Sequence, residues 1–114
     1  MRRKKNTKRK GDRYEEHCAM KLRFRGCIVE RIGASGDFGA DLIIKTFFFR
    51  KLAIVQCKYL SKATAKVGTK AVQEAYTARQ YYGAQKAIVC TNRTYTKNAR
   101  ELARACGVEL YENF

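Results

Sequence analysis

Two apolar runs separated by a short basic turn constrain this chain more than any other feature. The first is opened by an acid, in Asp41-Leu42-Ile43-Ile44, and the second, Ala53-Ile54-Val55-Gln56-Cys57-Lys58, is closed by an amide and an amine. They read as the strands of a hairpin, Asp41 to Phe48 and Leu52 to Lys58, with the turn near Phe49-Arg50-Lys51. Alternate side chains of a strand share a face, so Gln56 and Lys58 project together while Val55 and Cys57 point the other way. Antiparallel pairing lays the start of the first run beside the end of the second, which is expected to gather Asp41, Gln56 and Lys58 at one spot. Carboxylate and amide oxygens there suit a hard cation, and the lysine would stand beside a reacting water or phosphate.

Other elements follow from caps and periodicity. Asp12 can cap a helix from about Arg13 to Arg25 that Gly26 stops. On it Tyr14, Cys18, Ala19 and Leu22 share one sector, and Glu15 falls inside that sector with Glu16 on its flank. A carboxylate there needs compensation, either from a salt bridge at the rim of the core or from a metal ion. Cys27 to Ile32 reads as a strand, followed by the loop Gly33-Ala34-Ser35-Gly36-Asp37-Phe38-Gly39. That loop leads into a strand and lacks a following Gly-Lys-Ser/Thr, which argues against a phosphate-cradling P-loop. Its glycines permit a sharp turn and a close backbone approach to a ligand. Val67 to Tyr82 is an Ala-rich helix ended by Gly83, with Ala71, Val72, Ala75, Ala78 and Tyr82 on its apolar side. Lys86 to Thr91 is a continuous strand. Thr96 caps a helix from Lys97 to Cys106 that Gly107 closes, and Val108 to Tyr111 is a last strand. The order α-β-β-β-α-β-α-β predicts an α/β fold, a small mixed sheet flanked by helices, as one domain over residues 12–114.

Charge narrows the partners. A formal net charge of +15, from 25 Lys and Arg against 10 acids, points to a polyanion, and DNA is the expected one. No apolar run approaches the roughly 20 residues of a membrane span. Residues 1–11 carry Arg2, Arg3, Lys4, Lys5, Lys8, Arg9 and Lys10 without an acid and are expected to be a disordered basic arm, either a solubilising or localising tail or one that tracks phosphates. The five cysteines, Cys18, Cys27, Cys57, Cys90 and Cys106, are odd in number and widely spread, which reads as small buried hydrophobes in a reducing, cytoplasmic compartment. His17, the only histidine, reads as an exposed helix residue. Phe47, Phe48 and Phe49 sit at the tip of the hairpin and cannot all face one core, so a homodimer interface is expected there.

Taken in order, Tyr14-Glu15 with Gly26, Ser35-Gly36-Asp37-Phe38-Gly39-Ala40-Asp41-Leu42-Ile43, Val55-Gln56-Cys57-Lys58-Tyr59, Val67-Gly68 and Thr91 through Thr96 to Ala99 resemble the Mrr-like branch of the PD-(D/E)xK nuclease superfamily. The resemblance covers about Tyr14 to Tyr111. It implies a restriction-endonuclease-like core and a metal-dependent endonuclease hydrolysing DNA phosphodiesters, with Mg²⁺ as cofactor and Mn²⁺ able to substitute. Glu15, Asp41, Gln56 and Lys58 would be the catalytic residues, and Glu15, Asp41, Gln56 and the backbone carbonyl of Cys57 the metal ligands. Most of the superfamily has an acid where this chain has Gln56, and the Mrr-like branch commonly has Gln. Arg13, Ser35 and Lys62 join the arm as expected DNA contacts. As a small lone domain with a basic N-terminus the chain is also similar to archaeal-type Holliday-junction resolvases. That leaves cleavage of branched DNA, Mrr-type restriction and non-catalytic DNA binding as alternative outcomes.

Overall fold

The computed structural model describes residues 2–32, 39–46, 48 and 50–114, the side chains of residues 2–8 excepted. Helix α1 (Arg2–Phe24) begins well before the expected Arg13, so Asp12 lies inside it instead of capping it, and residues 2–11 are helical where a disordered arm was expected. The physical reason is local: no proline interrupts the segment, and Lys and Arg are good helix formers that can continue a helix begun downstream. Its end follows expectation. Gly26 takes φ +93°, the Cys27 amide donates to the Leu22 carbonyl at 3.1 Å, and the Gly26 amide donates to Arg23 at 2.9 Å, the paired bonds of a Schellman stop.

Strand β1 (Ile28–Arg31) then pairs antiparallel with β2 (Leu42–Lys45), and β2 with β3 (Lys51–Lys58). Helix α2 (Thr69–Tyr82), reached through the short β4 (Lys66–Val67), crosses over to β5 (Lys86–Thr91), which is parallel to β3. After β6 (Thr94–Tyr95), helix α3 (Lys97–Cys106) leads to β7 (Val108–Tyr111), parallel to β5. The main sheet has the order β1-β2-β3-β5-β7, and β4 and β6 form a separate parallel pair. The eight expected elements are therefore present in the expected order. The β4 and β6 strands went unread because two residues carry no periodicity.

Alternation along the central strands divides the core. Leu42, Ile44, Ala53, Val55, Ile88 and Cys90 face α1, where Tyr14, Cys18, Ala19 and Leu22 meet them. Ile43, Ile54, Ala87 and Val89 face α2 and α3, packing on Val72, Ala75, Ala78, Ala99 and Ala103. The alanines on this side let the two helices lie close to the sheet. All five cysteines are free, with Cys18 and Cys90 buried and Cys27, Cys57 and Cys106 half-buried. Cys57 and Cys90 are register partners on adjacent strands. None of the described helices is long and apolar enough to cross a membrane.

Just past Lys58 the chain leaves the sheet, and a side chain replaces the lost ladder. The Asn92 amide accepts from the Leu60 amide at 2.8 Å and donates to the Leu60 carbonyl at 2.9 Å, as a strand residue would. Arg93 adds bonds to the Leu60 and Ser61 carbonyls at 3.1 and 3.0 Å. Asn92→Ala is expected to cost about 1–3 kcal/mol, since it leaves the Leu60 amide without its partner and the Leu60 carbonyl with Arg93 alone. Urea denaturation measures the loss, and faster hydrogen exchange at the Leu60 amide locates it.

Candidate active site

The hairpin register brings the expected residues to one end of the sheet. Leu42 pairs with Val55, so Asp41 lies beside Gln56 at the carboxyl end of β3. The Asp41 amide donates to the Val55 carbonyl at 2.8 Å, and its side-chain Oδ2 accepts from the Cys57 amide at 2.7 Å. Asp41 thus grips β3 with main chain and side chain together. The Asp41 carbonyl accepts from Ile32 at 2.9 Å, which ties the end of β1 to the same place.

Glu15 comes to Asp41 from α1. Burial comes first among the causes that push its carboxyl from 4.5 up to about 8, followed by Asp41, which accepts its hydrogen bond and repels its ionised form; Arg31 pulls the other way. Arg31 Nη2 stands 3.4 Å from Glu15 and Nη1 3.0 Å from Glu16, so one guanidinium at the end of β1 serves both acids. Of the two forms of compensation expected for Glu15, the structure supplies the salt bridge, from Arg31.

Gln56 and Lys58 project together, as alternation requires, and their shared partner is one that sequence reading missed. Gln56 Nε2 donates to Glu74 Oε2 at 2.5 Å, and Lys58 Nζ lies 3.7 Å from the same oxygen. Glu74 is on α2, three residues after buried Ala71 and four before buried Ala78, at the flank of the apolar side. The argument that singles out Glu15 on α1 applies to it equally, and that is the signal that could have found it. The loop leading to Asp41 also touches α2 here. Gly39 has φ +79°, and a Cβ on it would stand 2.6 Å from the Glu74 carbonyl oxygen. The close approach expected of the glycine loop is therefore, at Gly39, an approach to a helix; the rest of that loop and Ser35 lie outside the described residues.

Gln56 is 4% exposed, and its Oε1 is buried without a hydrogen-bond partner among the described residues. An amide oxygen left so is costly. Together with two carboxylates, one of which keeps its proton, it makes a donor set of hard oxygens that suits a divalent cation of the magnesium kind. Among the described residues no three His, Cys, Asp or Glu side chains group to hold a metal.

Other expected residues fall outside this cluster. Arg9, Lys10 and Arg13 are exposed on α1, and Lys62 is exposed in the segment after Lys58. The side chains of Arg2, Arg3, Lys4, Lys5 and Lys8 lie outside the described residues. His17 is exposed on α1, as expected, and its Nε2 lies 3.0 Å from the Phe114 carbonyl, with its ring stacked on Tyr14. Phe48 is 87% exposed, whereas Phe47 and Phe49 lie outside the described residues.

Residues 7–113 match the family model Mrr_cat, restriction endonuclease. No curated protein matches the chain at a significant level. Among solved structures, the crystal structure of AF1548, a protein of unknown function, is similar at 16% identity with a TM-score of 0.70, over 86% of this chain and 55% of that one. The MspJI restriction endonuclease in complex with a 27-mer oligonucleotide is similar at 19% identity with a TM-score of 0.58, over 87% of this chain and 24% of that one. The chain thus spans little more than half of the first and about a quarter of the second. These likenesses establish the fold as the expected restriction-endonuclease-like α/β architecture.

Two predictions follow from the geometry. Between about 4.5 and 8 the unfolded chain has released the Glu15 proton while the native one holds it, so without divalent cation stability falls as pH rises through that window and levels off above it. Thermal melts in chelator should show the slope, and Glu15→Gln should flatten it. Gly39→Ala combines a left-handed backbone with a clash against helix backbone and is expected to cost about 1–3 kcal/mol by chemical denaturation.

Proposed function

Because the chain belongs to the Mrr-type restriction-endonuclease family, and so is a nuclease domain of the restriction-endonuclease-like superfamily, we propose that it is a divalent-cation-dependent endonuclease that hydrolyses DNA phosphodiester bonds at Glu15, Asp41, Gln56 and Lys58. The observation that carries this reading is the buried Gln56 oxygen, unpartnered among the described residues, at the sheet end where Glu15 and Asp41 share a proton's worth of repulsion.

Glu15, Asp41, the Gln56 amide oxygen and the Cys57 carbonyl would hold the cation, Mg²⁺ with Mn²⁺ as a substitute. When bound, it supplies positive charge to a phosphate oxygen and acidifies a water. The chain's own groups do the rest. Glu15, whose protonated form is favoured by burial and then by Asp41, would be ionised as a ligand, its carboxyl proton passing to solvent. Asp41 holds its place because the Cys57 amide fixes one carboxylate oxygen. Lys58, whose side chain is 37% exposed, presents a compact ammonium at the rim, where it can meet a phosphate oxygen or orient the attacking water.

DNA reaches this centre over a basic surface. Exposed Arg9, Lys10, Arg13 and Lys62 support the charge-based part of binding, which reads backbone and not sequence. A homodimer belongs to the same reading, because two strands or two junction arms need two centres. Exposed Phe48 supports it, and so does exposed Ile28, whose register partner Lys45 lies at the foot of the same turn. The five free thiols support a reducing, cytoplasmic setting.

The test is cleavage with Mg²⁺ or Mn²⁺ of supercoiled plasmid, linear duplex, single strand, flap and four-way junction. Cleavage by the wild type is expected, with loss of at least about 100-fold in Asp41→Ala and Lys58→Ala while DNA affinity in Ca²⁺ is largely kept. Full activity in either variant would remove the proposed centre. Preference for the four-way junction would assign branched DNA as the substrate, and equal cutting of all duplexes would count against it.

A further inference from the structure

Gln56 has to present one particular end of its amide, and nothing within the residue decides which. The Nε2 and Oε1 ends are nearly alike in shape and opposite in hydrogen bonding. Glu74 supplies the decision. Its Oε2 accepts from Nε2 at 2.5 Å, an arrangement that a flipped amide would turn into oxygen against carboxylate. Oε1 is thereby the end left without a partner. The same carboxylate oxygen stands 3.7 Å from Lys58 Nζ, so a single acid on α2 anchors both residues that β3 contributes to the centre.

We propose that Glu74 is a positioning residue of the nuclease centre, and that Gln56 and Glu74 act as one unit in which the negative charge sits on the helix and the free oxygen on the strand. This inference rests on the nuclease reading above. It explains why an amide serves at residue 56. A carboxylate at that site would face the Glu74 carboxylate at hydrogen-bond distance, so the two would repel or would have to hold a proton between them, and it would compete with Glu74 for Lys58. Amide and acid are therefore specified as a pair, and each is the wrong residue without the other.

The experiment is a charge exchange. Gln56→Glu, Glu74→Gln, Glu74→Ala and the double variant Gln56→Glu/Glu74→Gln are compared with the wild type in two readouts, DNA cleavage and the rise in melting temperature that Mn²⁺ alone produces without DNA. Residues that orient a ligand through another typically matter about 10–100-fold. Gln56→Glu and Glu74→Ala are each expected to lose about that much cleavage, through kcat with KM little changed, and to need about 10–100-fold more Mn²⁺ for the same thermal shift. The double variant is expected to recover both to within about tenfold of the wild type, the coupling that only a direct pair gives. Melting temperatures in chelator serve as the fold control.

If the wild type cleaves and the double variant is no better than Gln56→Glu, the inference fails while the nuclease reading stands. A Glu74→Ala protein that melts earlier in chelator yet keeps normal cleavage and Mn²⁺ response makes Glu74 merely structural and likewise overturns it. Conversely, a wild type that cuts no DNA but shows a Mn²⁺ shift abolished by Glu74→Ala and restored by exchange would sink the cleavage reading and keep the pair. Absence of any Mn²⁺ shift in the wild type overturns the pairing proposal directly.

Discussion

Register between β2 and β3 is the constraint on which the rest of the structure depends. With Leu42 opposite Val55 and Ile43 opposite Ile54, one face of the hairpin receives α1 and the other receives α2 and α3. A slip of one residue would exchange the faces, turning Gln56 and Lys58 towards α1 and Cys57 towards α2. It would also move the Cys57 amide away from the Asp41 carboxylate. Core and candidate centre are thus set by the same alignment. The hydrophobic pattern that enforces one enforces the other.

The charges follow a division that net composition conceals. With 25 Lys and Arg to 10 acids, an acid is the scarcer resource, and three of the ten, Glu15, Asp41 and Glu74, converge on the carboxyl end of β3. Each is balanced differently. Arg31 pairs with Glu15, a backbone amide fixes Asp41, and an amide with an ammonium satisfies Glu74. Arg9, Lys10, Arg13 and Lys62 are exposed and put positive charge on the exterior, outside this acidic cluster.

Much of this was legible in the sequence, and the limits have identifiable causes. Strand β5, helix α3 with its Thr96 cap and strand β7 fall where caps and apolar runs put them, because those signals are local. Glu15 was joined to Asp41 by the family resemblance; helix periodicity alone showed only that its carboxylate needs compensation, and the salt bridge from Arg31 is one of the two forms that expectation named. Glu74 presented a weaker form of the same signal, at the flank of a helix whose alanines mark its apolar side poorly. The start of α1 was misjudged because basic residues lower hydrophobic periodicity without lowering helix propensity. The Gly39 contact with α2 joins segments distant in sequence, and only the folded chain reveals it.

Asn92 has a consequence for how Lys58 can work. By standing in for a strand residue at Leu60, it pins the chain two peptide units beyond the lysine, while the β3 ladder holds it on the other side. The backbone at Lys58 is a fixed pivot. Its ammonium therefore travels only on its own four-carbon tether, within a sphere of roughly 6 Å, and any phosphate it serves must be delivered to that sphere by the approach of the nucleic acid.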